Sequence, residues 1–399
     1  MKSRLLFSFV LSFILLSSSA FSQSSGIFEN FKIPTYEAKY LFVYGQDFLN
    51  YTSTGSDNSS LKLAAGAAYG YMNQSPMMTY SVTEVPGLAI DKSTVAGVSN
   101  DAVNTYSNTL LASVNKYFGQ YDGVFGFGNL GFSYYESLPA SLSRNLPVTV
   151  GVGYGRITGA KTVAQALVIV KELGISASDE TVLAIADVIA KHSSNYYAVT
   201  YKDDAEIMYF KDLAALTGKA DAALKISQIL GGGIYQITDR MVGWQVKAGF
   251  SNDFTVKNGA GDAQTGNLVV QAEYARPMGL DRQFYGSVTY SNSLNDKAKW
   301  AVVNSLNVDA SYTIEHSYLW ATSLLANYGS YMPKSGASSG TNAANLSLSA
   351  KSTYVVLSKL SAYGQLTYGK LEWDKSTNLP TGVKDATIAL HLGFSYLVF

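Results

Sequence analysis

The feature that most constrains this chain is a long alternation in which every second residue is apolar and the residues between are small or polar. One such run alternates Leu146, Val148, Val150, Val152 and Tyr154 with Thr149, Gly151 and Gly153. A period of two residues places the apolar side chains on one face of a β-strand. The runs are about 10 to 14 residues long, against about 5 to 6 for an ordinary strand and about 9 to 11 for a tilted strand that crosses a bilayer. The alternation therefore predicts membrane-spanning strands.

The composition agrees with an all-β transmembrane protein. Charged residues make up only 15 % of the chain and the mean hydropathy is +0.06, whereas soluble domains carry roughly 25 % charged residues. A backbone in hydrocarbon must satisfy its own hydrogen bonds, so spanning strands have to close into a barrel that is apolar outside and polar inside. The alternative is a soluble β-sandwich, which would favour shorter strands and a more highly charged surface.

The spacing of the runs predicts an antiparallel up-and-down β-barrel of about fourteen strands. We expect these strands at residues 36–45, 60–72, 77–84, 104–118, 122–137, 145–157, 239–252, 266–275, 282–293, 299–313, 317–331, 342–354, 358–372 and 384–398. Long polar connections such as 85–103 alternate with short ones such as 119–121 and 314–316, as outer loops and periplasmic turns do in such barrels. The third and fifth runs alternate weakly, which leaves twelve strands as the alternative.

Residues 1–22 have the features of a secretory signal peptide. Lys2 and Arg4 precede an apolar core at 5–16, and small residues around Ala20 suit cleavage before Gln23. An uncleaved anchor helix is the alternative. No later stretch holds about 18 uninterrupted apolar residues, so the sequence predicts no transmembrane helix in the mature chain.

One segment breaks the alternation. Residues 159–233, between barrel halves at 23–158 and 234–399, have helical spacing, beginning with Val163, Ala166, Leu167, Val170 and Leu173. Further helices are expected at 182–189, with Ser176 or Ser178 as the N-cap, at 203–216 and at 220–230. The alternation of connections predicts that this insert lies on the periplasmic side. It either buries its apolar faces in a bundle beneath the barrel or enters the lumen as a plug.

Two sets of inward-facing residues are candidates for the lumen. The first is polar with both charges, which favours mild selectivity over a ring of one sign; its members are Lys247, Gln271, Glu273, Asn307, Asp309, Ser347, Ser349, Lys351, Gln365 and Thr367. The second is a glycine wall on the opposite side, formed by Gly66, Gly70, Gly151, Gly153 and Gly155. Glycine weakens a strand unless backbone or a ligand approaches closely, so we expect the first helix of the insert to lie against this wall.

The chain ends in Phe399, after the apolar phase Ile388, Leu390, Leu392, Phe394, Tyr396 and Val398. An exported chain of alternating strands that closes on a terminal aromatic residue resembles a Gram-negative outer-membrane β-barrel protein of the porin-like kind. The resemblance implies a place in outer-membrane lipid and insertion by the barrel-assembly machinery, which reads the last strand. The apolar phase is one residue out of step with Phe399, so either a bulge near the end or a one-residue difference in frame is expected.

Catalytic and cofactor chemistry has little support in the sequence. There is no cysteine, and His192, His316 and His391 have no nucleophilic or metal-ligating partner at a telling spacing. The 29 basic and 29 acidic residues balance, which argues against a nucleic-acid partner. We therefore predict no metal, no cofactor and no enzyme activity.

Three functional hypotheses follow. The first is a porin-like channel for small polar solutes, gated or plugged by the insert. The second is an outer-membrane anchor or assembly protein whose insert docks a periplasmic protein or serves the export of a polymer. The third is an outer-membrane enzyme, which would need His391 as its inward-facing catalytic group.

Overall fold

The computed structural model shows one antiparallel sheet that closes on itself, with a helical segment inserted between two of its strands. It describes residues 26–46, 49–53, 59–95, 98–99, 103–138, 141–219, 221–231, 235, 237–257, 263–294, 304–332, 343–357, 360–373 and 387–397. The predicted signal peptide and the expected bulge or frame difference beside Phe399 lie outside these residues.

Fourteen of the described strands are long, and two short strands lie beside the ends of their neighbours. They are β1 (Tyr36–Gln46), β2 (Leu49–Ser53), β3 (Ser59–Gln74), β4 (Met78–Val95), β5 (Val98–Ser99), β6 (Val103–Tyr117), β7 (Val124–Leu138), β8 (Ser141–Gly159), β9 (Met241–Lys257), β10 (Ala263–Pro277), β11 (Arg282–Ser293), β12 (Asn304–Ser317), β13 (Trp320–Met332), β14 (Ala343–Leu357), β15 (Leu360–Trp373) and β16 (Thr387–Leu397). The short strands are β2, which pairs with β3, and β5, which pairs with β4.

The other fourteen described strands form a closed up-and-down barrel. Each pairs antiparallel with the next along the chain, and β1 pairs with both β3 and β16, where Tyr44 lies opposite Gly66 and Ser395. This closure confirms the predicted fourteen strands. The two runs that alternate weakly, at 77–84 and 122–137, are both true strands, β4 and β7, so the alternative of twelve strands is wrong.

Two expected connections differ from the prediction. The expected outer loop at 85–103 is largely strand, since β4 runs to Val95 and β6 begins at Val103. Leu88 and Ile90 continue the apolar alternation beyond Pro86 and are 44 % and 39 % exposed, which explains the extension. The expected turn at 314–316 belongs to β12, and the turn itself is formed by Tyr318 and Leu319.

The two faces of the strands follow the predicted alternation. On β8, Val150, Val152 and Tyr154 point outward and are more than half exposed, while Gly151 and Gly153 occupy the inward phase. The last strand has the same pattern, with outward side chains at Ile388, Leu390, Leu392, Phe394 and Tyr396. A continuous apolar outer face of this kind is what lipid requires.

The helices are α1 (Gly26–Glu29), α2 (Lys161–Leu173), α3 (Asp179–Ser193), α4 (Tyr196–Tyr201), α5 (Ala205–Thr217) and α6 (Ala223–Leu230). Four of them match the predicted helices of the insert. Gly174 and Gly218 end α2 and α5 in the left-handed conformation, and Ser178 caps α3 by accepting a hydrogen bond from the Thr181 amide. The short helices α1 and α4 lack a periodic apolar pattern and were not predicted. No helix among the described residues has the length and apolar character needed to span a membrane.

The insert packs over the end of the barrel where β8 leads into α2, which we call the insert end. Its core is built from fully buried side chains on successive helices, among them Val163, Ile185, Leu213 and Ile226. The N-terminal segment adds Phe28 and Ile33 to the same core, and three short turns of the barrel contribute Tyr121, Leu280 and Tyr318. The helices therefore bury their apolar faces against each other and against the rim of the barrel.

Candidate pore and its helical cover

One side of the lumen carries a network of paired charges. Lys247 on β9 lies 2.9 Å from Glu273 on β10, and both side chains are mostly shielded from solvent. Gln245 and Tyr285 donate to the two carboxylate oxygens of Glu273 at 2.6 and 2.7 Å. Because the Glu273 charge is balanced by Lys247 and fully hydrogen-bonded, it adds no excess negative charge to the wall.

A second group of polar side chains continues around the same wall. Ser287 and Asn327 donate hydrogen bonds to Asp309 from the neighbouring strands β11 and β13. Gln365 donates to Ser349 at 3.1 Å and to Thr367 at 3.3 Å. The ammonium of Lys351 lies 4.3 Å from the centre of the Tyr363 ring, a cation–π contact.

The predicted polar residues thus lie on the inward phase of β9, β10, β12, β14 and β15, and several of them meet. Gln271, Asn307 and Ser347 lie on the same wall outside these clusters. Gln245, Tyr285, Ser287 and Asn327 belong to the network but were missed from sequence. Their inward phase was visible, yet their partners depend on the register between strands, which a single sequence does not provide.

The glycine wall is covered by aromatic rings from neighbouring strands. A Cβ atom on Gly66 would lie 2.7 Å from the Tyr44 ring, and those on Gly70 and Gly153 would lie closer still to the rings of Tyr40 and Phe125. Each ring belongs to the residue directly opposite its glycine in the strand register. The glycines therefore let inward-facing aromatic rings lie flat against the barrel wall.

Two further glycines approach the backbone of β9 as well as an aromatic ring. Gly155 has a φ of +89°, and a Cβ there would lie 2.5 Å from the carbonyl oxygen of Trp244. At Gly151 the nearest atoms belong to Ala248 and Gly249 on β9. These contacts give the glycines a role independent of the insert, so the expectation that α2 lies against this wall stays a prediction. The covering rings Tyr40, Tyr44 and Phe125 were not among the predicted residues.

Arg156 joins the beginning of the insert to two short turns of the barrel. Its guanidinium donates to the carbonyl oxygens of Ser75, Pro76 and Tyr121 at 2.6 to 3.1 Å. It also stacks between the rings of Tyr117 and Tyr121, at 4.4 and 4.1 Å from their centres. The two terminal nitrogens of this buried guanidinium find carbonyl acceptors and close the rim, while its Nε has no hydrogen-bond partner among the described residues.

Arg240 is a second buried arginine that bonds to the rim, and it lies where the chain returns from the insert to β9. It is 1 % exposed and pairs with Glu315 at 2.8 Å. It also donates to the carbonyl oxygen of Leu280 and to the side chain of Thr238. The amide of Ala160 donates to the Arg240 carbonyl at 2.7 Å, so the two ends of the insert lie side by side.

The far end of α2 is tied by Glu172 to a part of the rim distant from β8. Tyr235 and Tyr318 each donate to one of its carboxylate oxygens at 2.9 Å, and Lys225 donates to the Tyr235 hydroxyl at 2.7 Å. Tyr318 lies in the turn between β12 and β13, four strands from β8 around the barrel. The hydrogen bonds from Tyr235 and Tyr318 lower the pKa of Glu172 below its ordinary value of 4.5. We call Glu172, Lys225, Tyr235 and Tyr318 the Glu172 latch.

The cover leaves room beside the polar wall. An open cavity of about 430 Å³ lies at the insert end and is bordered by Thr238, Gln283, Tyr285, Thr313 and Glu315. It connects the polar side of the lumen to the base of the insert.

The histidines differ in surroundings. His192, for which the sequence indicated no partner, stacks on Tyr209 and lies 2.7 Å from Glu206 because α3 packs against α5. His316 is 3.0 Å from Thr322 at the end of β12, and His391 lies inward on β16 opposite Gln365. Within the described residues, no three His, Asp or Glu side chains are grouped as a metal site would require.

The fold and lumen define a transmembrane β-barrel protein. No family model and no curated protein matches its sequence. Among solved structures, a bacterial polysaccharide outer membrane secretin is 10 % identical over 92 % of this chain and 98 % of its own, with a TM-score of 0.31. OmpT of Vibrio cholerae is 8 % identical over 92 % and 98 %, with a TM-score of 0.34. An outer membrane channel from Pseudomonas putida F1 is 7 % identical over 94 % and 99 %, with a TM-score of 0.36.

Proposed function

We propose that this protein is an outer-membrane, porin-like channel for small polar solutes, with its insert restricting one end. The observation that carries the proposal is the hydrogen-bonded polar wall inside a closed barrel. If the barrel interior were filled by packed side chains, these side chains could be apolar. A water-filled passage instead needs polar side chains along it. A barrel of about 14 strands lies between small, side-chain-filled barrels and open porins of 16 to 18 strands, so water and small solutes fit.

The orientation in the membrane follows from the connections. Short turns join strands at the insert end, and in barrels of this kind the short turns face the periplasm. The insert then lies in the periplasm. Export of the chain would use the predicted signal peptide at 1–22, and assembly would use the barrel-assembly machinery.

The polar wall is charge-balanced, which supports weak selectivity. Lys247 offsets Glu273, while Asp309 and Lys351 add one charge of each sign. A ring of one sign would instead favour anions or cations. We therefore expect neutral or zwitterionic polar solutes to pass as readily as small ions.

Purified protein in a planar bilayer should show small, stable conductance steps. Replacing residues 161–239 by a short glycine-containing turn should enlarge these steps severalfold, because the cover is removed. A short turn can join residues 160 and 240 in this variant, since the Ala160 amide already donates a hydrogen bond to the Arg240 carbonyl oxygen. Heat-dependent mobility on a denaturing gel confirms that the shortened chain still forms a barrel.

A barrel that conducts in neither form would contradict the channel. That result favours the second hypothesis, an anchor whose insert docks a periplasmic protein. One observation supports this alternative, because the insert exposes large apolar side chains at Val199 (78 %), Leu224 (73 %) and Ile207 (67 %). Loss of a co-purifying periplasmic protein from the shortened chain would then support docking.

The Glu172 latch predicts that acid loosens the cover. The folded pKa of Glu172 is lowered, so its ionised, hydrogen-bonded form stabilises the cover above pH 4.5 and the stabilisation is lost as the pH falls through the lower folded value. Conductance should therefore rise below pH 4.5. Tyr318→Phe removes one donor, worth about 1.5 to 3 kcal/mol when it serves a charge, and should move this rise to higher pH.

The matched control is Tyr196→Phe, which alters an exposed tyrosine of the same insert. It should leave the acid response unchanged. The role of the latch would be disproved by an identical pH profile in the Tyr318→Phe and parent proteins.

A further inference from the structure

A polar pair lies on the outward face of the barrel, where lipid is expected. Glu84 on β4 shares its phase with the exposed Leu88 and Ile90, and Asn108 on β6 shares its phase with the exposed Val114. The Asn108 amide donates to a Glu84 carboxylate oxygen at 3.1 Å. The bond holds both side chains together on one patch of the outer surface.

Glu84 differs from the other outward charges in its position along the strand. It lies six residues after Met78, where β4 begins, and eleven before Val95, where it ends. Every other described charged residue on the outward phase lies within three residues of a strand end; these are Glu37, Lys39, Lys92, Lys116, Glu136, Arg144, Arg276, Arg282 and Lys370. Such end positions reach the polar interfaces, and Glu84 does not.

The depth of Glu84 can be judged from the aromatic girdle. Tyr71 and Tyr80 meet on the outer surface near the insert end, with their hydroxyl oxygens 3.0 Å apart, as expected at a membrane interface. A tilted strand rises about 2.5 Å per residue, so Glu84 stands about 10 Å beyond Tyr80 in an apolar band about 25 Å tall. It therefore lies near the middle of the hydrocarbon, where acyl chains offer it no hydrogen bond.

We propose that the outer surface formed by β3, β4, β6 and β7, centred on Glu84 and Asn108, binds the same surface of a second copy of this chain in the membrane. Every copy inserts in the same orientation, so a two-fold axis along the membrane normal brings the two pairs together at equal depth. The Asn108 amide has a second N–H, and the carboxylate of Glu84 has a second oxygen. Two reciprocal hydrogen bonds can then form, from each Asn108 to the other copy's Glu84.

The surrounding surface permits close approach. Ala112 on β6 lies on the outward phase two residues from the position opposite Glu84, Ala67 lies likewise on β3, and Gly128 lies farther along the outward phase of β7, opposite Val114. Small residues let two backbones approach within the membrane, and polar side chains then bond across the contact. The outward face of β16 is different, because it presents the large side chains of Ile388 and Leu390. The Glu84–Asn108 pair assigns the contact to this sector of the barrel, and the contact does not depend on transport.

Cysteine crosslinking in native membranes tests this assignment, because the chain has no cysteine of its own. Ala112→Cys should form disulfide-linked dimers under mild oxidation. Ala248→Cys, which lies outward and exposed on β9, is the matched control and should not. Adding Glu84→Leu and Asn108→Leu to Ala112→Cys should lower the dimer yield about tenfold, equivalent to about 1.4 kcal/mol.

The leucine substitutions suit a lipid-facing surface, so the variant barrel should remain folded, as heat-dependent gel mobility would show. Three results would overturn the proposal. They are equal dimer yields from both cysteines, an unchanged yield after the leucine substitutions, and capture of a different polypeptide by Ala112→Cys in place of a second copy.

Discussion

Arg240→Ala should lower the free energy of unfolding by about 3 to 5 kcal/mol, the effect expected when one partner of a buried ion pair is removed. The side chain of Arg240 is fully shielded from solvent and that of its partner Glu315 is 9 % exposed. The substitution would leave the Glu315 carboxylate without its cation and the Leu280 carbonyl without its donor. Denaturant unfolding of the detergent-solubilised barrel, followed by tryptophan fluorescence, measures the change.

Arg282→Ala provides the comparison. Arg282 pairs with Asp281 at 3.2 Å, but both side chains are about half exposed, and such solvent-exposed pairs contribute little to stability. The double variant Arg240→Met with Glu315→Met removes both buried charges and should recover part of the loss. Equal, small effects of Arg240→Ala and Arg282→Ala would show that the buried pair does not hold the insert to the rim.

Gly155→Ala should destabilise the barrel by about 2 to 4 kcal/mol, because two penalties act at one position. Its φ of +89° strains any residue with a Cβ, and that Cβ would lie 2.5 Å from the Trp244 carbonyl oxygen, which belongs to the backbone and cannot rotate away. The same unfolding measurement applies.

Gly364→Ala is the control within a strand. At this site a Cβ would touch only the Leu392 side chain, at an ordinary 3.4 Å. The change should stay within about 1 kcal/mol, since alanine also restricts the unfolded chain. If Gly364→Ala lowered the free energy of unfolding as much as Gly155→Ala, glycine would be acting at both sites only through strand propensity.

The helical insert shows how far sequence reasoning reached. Its four long helices and their ends at Gly174 and Gly218 were predictable, because caps and apolar periodicity are local. The attachment to the rim was not, because Arg156 contacts carbonyl oxygens of residues about eighty positions away along the chain. The pairing of His192 with Glu206 was missed for the same reason, since it requires α3 and α5 to pack together.

The lumen, too, was only partly predictable from the sequence. The alternation assigned Lys247, Glu273 and Asp309 to the inward phase, but their hydrogen-bond partners follow from strand register. The glycine wall was visible as a pattern, while the rings that cover it became apparent only when Tyr40 was found opposite Gly70 and Phe125 opposite Gly153. A sequence records which residues face inward, whereas pairing across strands decides what each one meets.

The amino-acid sequence alone determined the class of architecture, because a period of two over membrane-length runs allows only a closed barrel in lipid. It also predicted about fourteen strands, with twelve as the alternative, and the position of the insert along the chain. Only the tertiary structure decided how the insert is held across the barrel end, which aromatic rings lie on the glycines, and that Glu84 and Asn108 meet on the outer surface. These features depend on contacts between residues distant in the chain, and such contacts arise from the register and closure of the whole sheet.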